Sequence, residues 1–178
     1  MGSPCPGQFV VGKRLLEALG QNDAMILNRF SFGGAAAIVT SMALIIGLDA
    51  ATMTKPAIIG GLLIVAVADN LTDSLSIHIY QESERLEGHE AFIATLTNFV
   101  ARLLVSLSFV LLVVLLPMRE AVAAALAWGL LLLCALTYLL ARERQVGVVS
   151  EIGKHIAVAL VVILASRAIG RWILAATT

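Results

Sequence analysis

Residues 57–80 read AIIGGLLIVAVADNLTDSLSIHIY, and this run, long enough to cross a bilayer, carries two acids, Asp69 and Asp73. The hydrocarbon core is about 30 Å thick, so roughly 20 apolar helical residues span it. A charge near its centre costs at least ~2.5–3.5 kcal/mol even on the lenient insertion scale. These two side chains must therefore face protein, water or a cation rather than lipid.

Working outward, 60% of the residues are hydrophobic, 13% are charged and the mean hydropathy is +0.96. A soluble domain carries about a quarter charged residues, so the class is integral membrane protein. Four further apolar runs of similar length occupy 31–48, 91–116, 121–141 and 156–176. No alternating strand pattern is present, and only helices or closed barrels satisfy the backbone in lipid. The expected fold is all-α with five transmembrane helices.

The breaks at 49–56, 81–90, 117–120 and 142–155 are too short for a second domain. The expected organisation is a cytoplasmic N-terminal segment over 1–30 and a five-helix transmembrane domain over 31–178. In the first segment Lys13, Arg14, Glu17 and Asp23 alternate with Leu15, Leu16, Leu19, Met25 and Ile26. That mixture suits a short interfacial helix better than a cleaved signal peptide, which needs an apolar core and a small-residue cleavage site.

Basic residues near helix ends favour the cytoplasm. Lys13, Arg14, Arg29, Arg85, Arg142, Arg144 and Lys154 fall on one side of the five spans, against Lys55, Arg119 and Arg171 on the other. This asymmetry places the N-terminus inside and the C-terminus outside, in a plasma or inner membrane. The zero net charge gives no sign of nucleic acid as a partner. Cys5 and Cys134 are too few for a disulfide framework or a thiolate metal site, and Cys134 reads as a small packing residue.

At ~100° per residue, Asp69, Asp73, Ser76, Tyr80, Glu84 and Glu87 fall within an arc of roughly 80°, provided the second helix continues past the membrane. They form a polar track from mid-membrane to an acidic patch completed by Glu82, His89 and Glu90. Oxygen ligands of this kind suit hard or borderline divalent cations, and one His adds preference for transition metals. The candidate metal ligands are Asp69, Asp73, Glu82, Glu84, Glu87, His89 and Glu90, with Ser76 and Tyr80 lining the path.

The bland reading stands beside it. Arg102 in the third span and Arg167 in the fifth lie at depths matching Asp73 and Asp69 once the reach of Arg is allowed. Two internal ion pairs would neutralise both acids, which is how buried charges usually survive. Glu84, Glu87 and Glu90 also fit a solvated face.

His78 lies roughly opposite the Asp69 stripe and suits packing. His155, at the start of the last span, needs no function. His89-Glu90 is followed by Ile93 where a zinc protease needs its second His. No nucleophile elbow, phosphate loop or CxxC pair occurs, so an enzyme is not expected. Gly33, Ala37 and Ser41 on the first span, and Ala121, Ala125 and Gly129 on the fourth, allow close helix approach within or between chains. Five helices hold no complete inverted repeat, so a parallel two-fold homodimer with a path between protomers is a natural completion.

The first span, Ile38-Val39-Thr40-Ser41-Met42-Ala43-Leu44-Ile45-Ile46-Gly47-Leu48, resembles the opening helix of the vacuolar iron transporter family. The second, with Ala68-Asp69, Asp73-Ser74-Leu75-Ser76 and Tyr80-Gln81-Glu82-Ser83-Glu84, resembles that family's second helix and its cytoplasmic exit, and Ala168-Ile169-Gly170 resembles the closing helix. The resemblance runs from about Arg29 to the end. It implies a homodimer that moves Fe²⁺ or Mn²⁺ out of the cytoplasm in exchange for protons, the ion being cargo and no cofactor being permanently bound.

Two departures matter. Ala36-Ala37 stands where the family carries an Asp-Gly pair, so the acid expected to bind the travelling cation is absent, and only residues 81–90 stand in place of the family's long cytoplasmic metal-binding domain. Two other expectations stay open. One is a non-transporting structural or regulatory member of the same fold with Asp–Arg pairs as braces. The other is a proton-coupled permease for a small organic cation.

Overall fold

The computed structural model describes residues 33–51, 54–83 and 88–177, with side chains throughout except at 77, 80–83, 88–91, 93 and 94. The N-terminal segment over 1–30, with its expected interfacial helix, lies outside the described residues.

Five helices are long and apolar enough to cross a membrane, and no strand occurs among the described residues. They are α1 (Gly33–Ala51), α2 (Lys55–Ser83), α3 (Gly88–Leu115), α4 (Met118–Glu143) and α5 (Val148–Thr177). Each of α2 to α5 runs several residues past its apolar run. Interfacial polar residues can stay helical because the backbone closes its own hydrogen bonds whatever the side chain.

Burial is inverted relative to a water-soluble protein. Leu63, Ile64, Val67, Leu71, Leu75 and Ile79 of α2 are exposed, while Asn70, Ser74, Asn98, Arg102 and Ser106 are buried. A contiguous apolar surface on this scale marks a partner or a membrane in any soluble protein. Here it is the expected face towards lipid, as lipid tails are as apolar as Leu and offer nothing that drives these side chains inward.

Among the four later helices α2 packs on α3, α4 on α5, and α3 on α4. α1 touches all four other helices. Its Gly33 meets Asn98 and Arg102 of α3, Leu44 and Leu48 meet Gly61 of α2, Met42 meets Gly129 of α4, and Gly47 meets Ser166 and Gly170 of α5. The apolar core lies along it, where Ile38, Met42 and Ile45 pack with Ile58, Leu62, Phe109, Val113, Ala125 and Leu133.

Both small-residue stripes are used inside the protomer. Gly33, Ala37 and Ser41 are buried, as are Ala121, Ala125 and Gly129, and a Cβ at Gly129 would run into the Met42 side chain.

The C-terminal ends of α3 and α4 are satisfied by identifiable groups. Nζ of Lys55, at the start of α2, donates to the carbonyls of Val114 (2.8 Å) and Leu116 (3.1 Å) at the end of α3. A cation suits that end of a helix, whose last carbonyls lack intrahelical partners. Lys55→Met is expected to cost about 1 kcal/mol, measured as a shift in reversible SDS-driven unfolding in mixed micelles. No shift would mean that water serves those carbonyls equally well.

α4 ends with Gln145 in the left-handed region (φ 56°), its N–H donating to Arg142 O, while Val146 N–H donates to Ala141 O. This is the double bond pattern of a Schellman cap, with Gln in the place usually held by Gly.

Candidate functional site

The charged centre sits between α2 and α3. Asp69 and Asp73 are one turn apart on α2, and both reach Arg102 of α3. Arg102 Nη2 donates to Asp69 Oδ2 (2.7 Å), Nη1 donates to Asp73 Oδ2, and Nε donates to Asn70 Oδ1 (2.8 Å). The guanidinium presents its donors in a fixed fork that suits two carboxylates at once. Asn70 is held in turn by its own helix, with Nδ2 donating to Ala66 O (2.6 Å).

One pairing read from depth is thus corrected. Asp73 does pair with Arg102, but Asp69 pairs with Arg102 as well and not with Arg167. Arg167 is exposed on α5 and makes no ion pair among the described residues. The reason is angular position. α5 packs on α4 and α1, so an Arg at the right depth stands on the wrong side of the bundle.

Burial within the centre is uneven. The Arg102 side chain is 2% exposed, whereas those of Asp69 and Asp73 are 47% and 40% exposed in the protomer. Two carboxylates against one guanidinium leave one negative charge in excess at membrane depth. The arrangement can hold a proton or a cation on the exposed sides of Asp69 and Asp73.

The rest of the polar track is only partly described. Ser76 is exposed and donates to Thr72 O of its own helix (3.0 Å). Glu84 and Glu87, and the side chains of Tyr80, Glu82, His89 and Glu90, lie outside the described residues. Among the described residues no group of three His, Cys, Asp or Glu comes together, so Asp69 and Asp73 stand as a pair. His78 is half-buried, and His155 Nδ1 pairs with Glu151 O of its own helix (2.9 Å), which makes that nitrogen the donor. Cys134 is a free thiol, partly buried on α4.

Two participants escape a reading of charges. Asn70 orients Arg102. Asn98, one turn before Arg102 on the same face of α3, is 2% exposed, and neither polar atom of its amide has a hydrogen-bond partner among the described residues. Leaving such a group unsatisfied costs about 1–3 kcal/mol. It packs against Gly33, where a Cβ would collide with its amide oxygen and lie 3.0 Å from Arg102 Cδ. The sequence signal for both was register, as Ala66, Asn70 and Ser74 on α2 and Asn98, Arg102 and Ser106 on α3 recur every four residues.

No family model matches the chain, and neither does any curated protein or solved structure.

Proposed function

We propose that this chain is a multi-pass transporter of a divalent transition metal, Fe²⁺ or Mn²⁺, of the vacuolar iron transporter type. It works as a parallel two-fold homodimer with its N-terminus in the cytoplasm, moving the ion outward in exchange for protons. The observation that carries this reading is the excess negative charge on Asp69 and Asp73, half-exposed at membrane depth. Lipid cannot cover that face of α2 without the cost of a bare carboxylate. A second protomer with a cation or proton path between the two α2 helices can.

Asp69 and Asp73 serve as ligands or proton carriers, and the acidic residues with His89 at the end of α2 capture the ion. A carboxylate can alternate between proton and metal, since metal binding displaces protons from its ligands. Flux of Mn²⁺ and Fe²⁺ into sealed proteoliposomes under an imposed pH gradient tests this. Asp69→Asn, checked for folding by size exclusion, is expected to lower flux by about tenfold or more, as even residues that merely support a ligand cost 10–100-fold. Undiminished flux removes Asp69 from the mechanism.

The bonding of Arg102 to both acids favours a second reading, in which the centre braces α2 against α3 and nothing is transported. Folded dimer with no flux for either metal supports that reading.

A further inference from the structure

At the end of the bundle that carries the α4–α5 turn, α1, α4 and α5 enclose a cavity of about 540 Å³, a volume within the usual range of small-molecule sites. Its walls include Ala35, Ala36 and Val39 of α1, Leu133 and Leu140 of α4, and Val158 of α5, and its mouth carries Arg144, Glu151 and His155. Arg144 to Leu133 is eleven residues, so the cavity extends about 16 Å along the helices at ~1.5 Å per residue. The mouth thus lies at the water interface and the floor within the hydrocarbon. Below the mouth only Thr137 among the lining residues is polar. Ordered water needs two to four polar partners, so that depth suits an apolar occupant.

Among the described residues the mouth lining carries Arg144, Glu151 and His155, with Arg142 and Lys154 close by in sequence. Glu151 is paired with Lys154 (2.7 Å), His155 Nδ1 is taken up by Glu151 O, and the Schellman cap fixes the backbone that presents Arg144. Arg142, Arg144 and Lys154 outnumber Glu143 and Glu151 in this turn. Val158, one of the walls, is 60% exposed, so the cavity borders the surface that faces lipid.

We propose that this cavity is a site for an anionic phospholipid of the adjoining leaflet, with one acyl chain lying between α1, α4 and α5 and the headgroup phosphate at Arg144. Apolar walls at hydrocarbon depth beneath a mouth that carries Arg144 complement such a lipid in both chemistry and position, and basic pockets between membrane helices commonly take acidic headgroups. This site is separate from Asp69 and Asp73 and does not depend on metal transport.

The test is native mass spectrometry of full-length protein in detergent, offered equal amounts of phosphatidylglycerol and phosphatidylcholine of the same chain length. Wild type is expected to retain phosphatidylglycerol preferentially. Arg144→Gln should weaken that retention about fivefold, corresponding to ~1 kcal/mol for one basic residue near an anionic surface. Ala36→Phe, which fills the cavity from α1 and leaves the mouth intact, should weaken it at least as much. Equal retention of the two lipids, no retention by wild type, or a loss in Arg144→Gln that Ala36→Phe does not share would overturn the proposal. The last result would place the lipid on the outer surface of the turn.

Discussion

Arg102→Gln is expected to destabilise the protein by about 3 kcal/mol, roughly a hundredfold in the folding equilibrium. Arg102 is the buried member of the centre and the counter-charge for both acids. Its removal leaves two carboxylates one turn apart at membrane depth, with no cation, and takes the donor from Asn70 Oδ1. Breaking a fully buried pair costs ~3–5 kcal/mol because the remaining charge is uncompensated. The partial exposure of Asp69 and Asp73 places this case at the lower end. The measurement is reversible unfolding in SDS mixed micelles, followed through the fluorescence of Trp128 and Trp172.

Adding Asp69→Asn and Asp73→Asn to Arg102→Gln restores neutrality and is expected to recover most of the loss. A loss under about 1 kcal/mol for Arg102→Gln alone would mean that the guanidinium is not the main counter-ion, as such values are typical of exposed pairs. A cycle of Asp69→Asn with Arg102→Gln also separates the roles of Asp69. Strong coupling marks bracing, and flux that fails in Asp69→Asn while stability holds marks transport.

Membrane helices were legible because their signal is one-dimensional. A run of apolar residues gives the span, and counting along it gives depth. Depth paired Asp73 correctly with Arg102. It failed for Asp69 because rise per residue carries no information on which side of the bundle a helix lies. Level matched Asp69 to Arg167, and only the packing of α5 on α4 and α1 takes Arg167 out of reach. Asn70 and Asn98 were missed for a different reason: neutral amides stand out only once the buried face of each helix is known.

The small-residue stripes show the same limit. Their spacing on α1 and α4 said that something approaches closely, and the structure shows neighbours within one chain, Asn98 and Arg102 of α3 at Gly33 and Met42 of α1 at Gly129. Family resemblance could not supply that, and Ala36, in the pair that departs from the resembled family's pattern, lines the cavity beside α4 and α5.

Gly170→Leu is the second large effect, with an expected loss of about 3 kcal/mol, the upper end of overpacking costs. A Cβ at Gly170 would collide with the carbonyl oxygen of Gly47 and lie 2.9 Å from Ala50 Cβ, while one at Gly47 would lie 3.3 Å from Ser166 O. The obstacle at Gly170 includes backbone, which cannot rotate away, so even Ala forces α1 and α5 apart. Gly129→Ala should cost less, since the obstacle there is the flexible Met42 side chain. Gly60→Ala, with nothing within 4 Å, should cost nothing. The same SDS titration ranks the three, and wild-type stability in Gly170→Leu would mean that α1 and α5 do not cross this closely. The ordering follows from how α5 is held: it is the least enclosed of the five helices, and lipid gives no hydrophobic drive to keep it docked. Its crossing with α1 rests on close backbone approach at Gly47 and Gly170, so a side chain at Gly170 opens that crossing and leaves α5 held by its packing on α4.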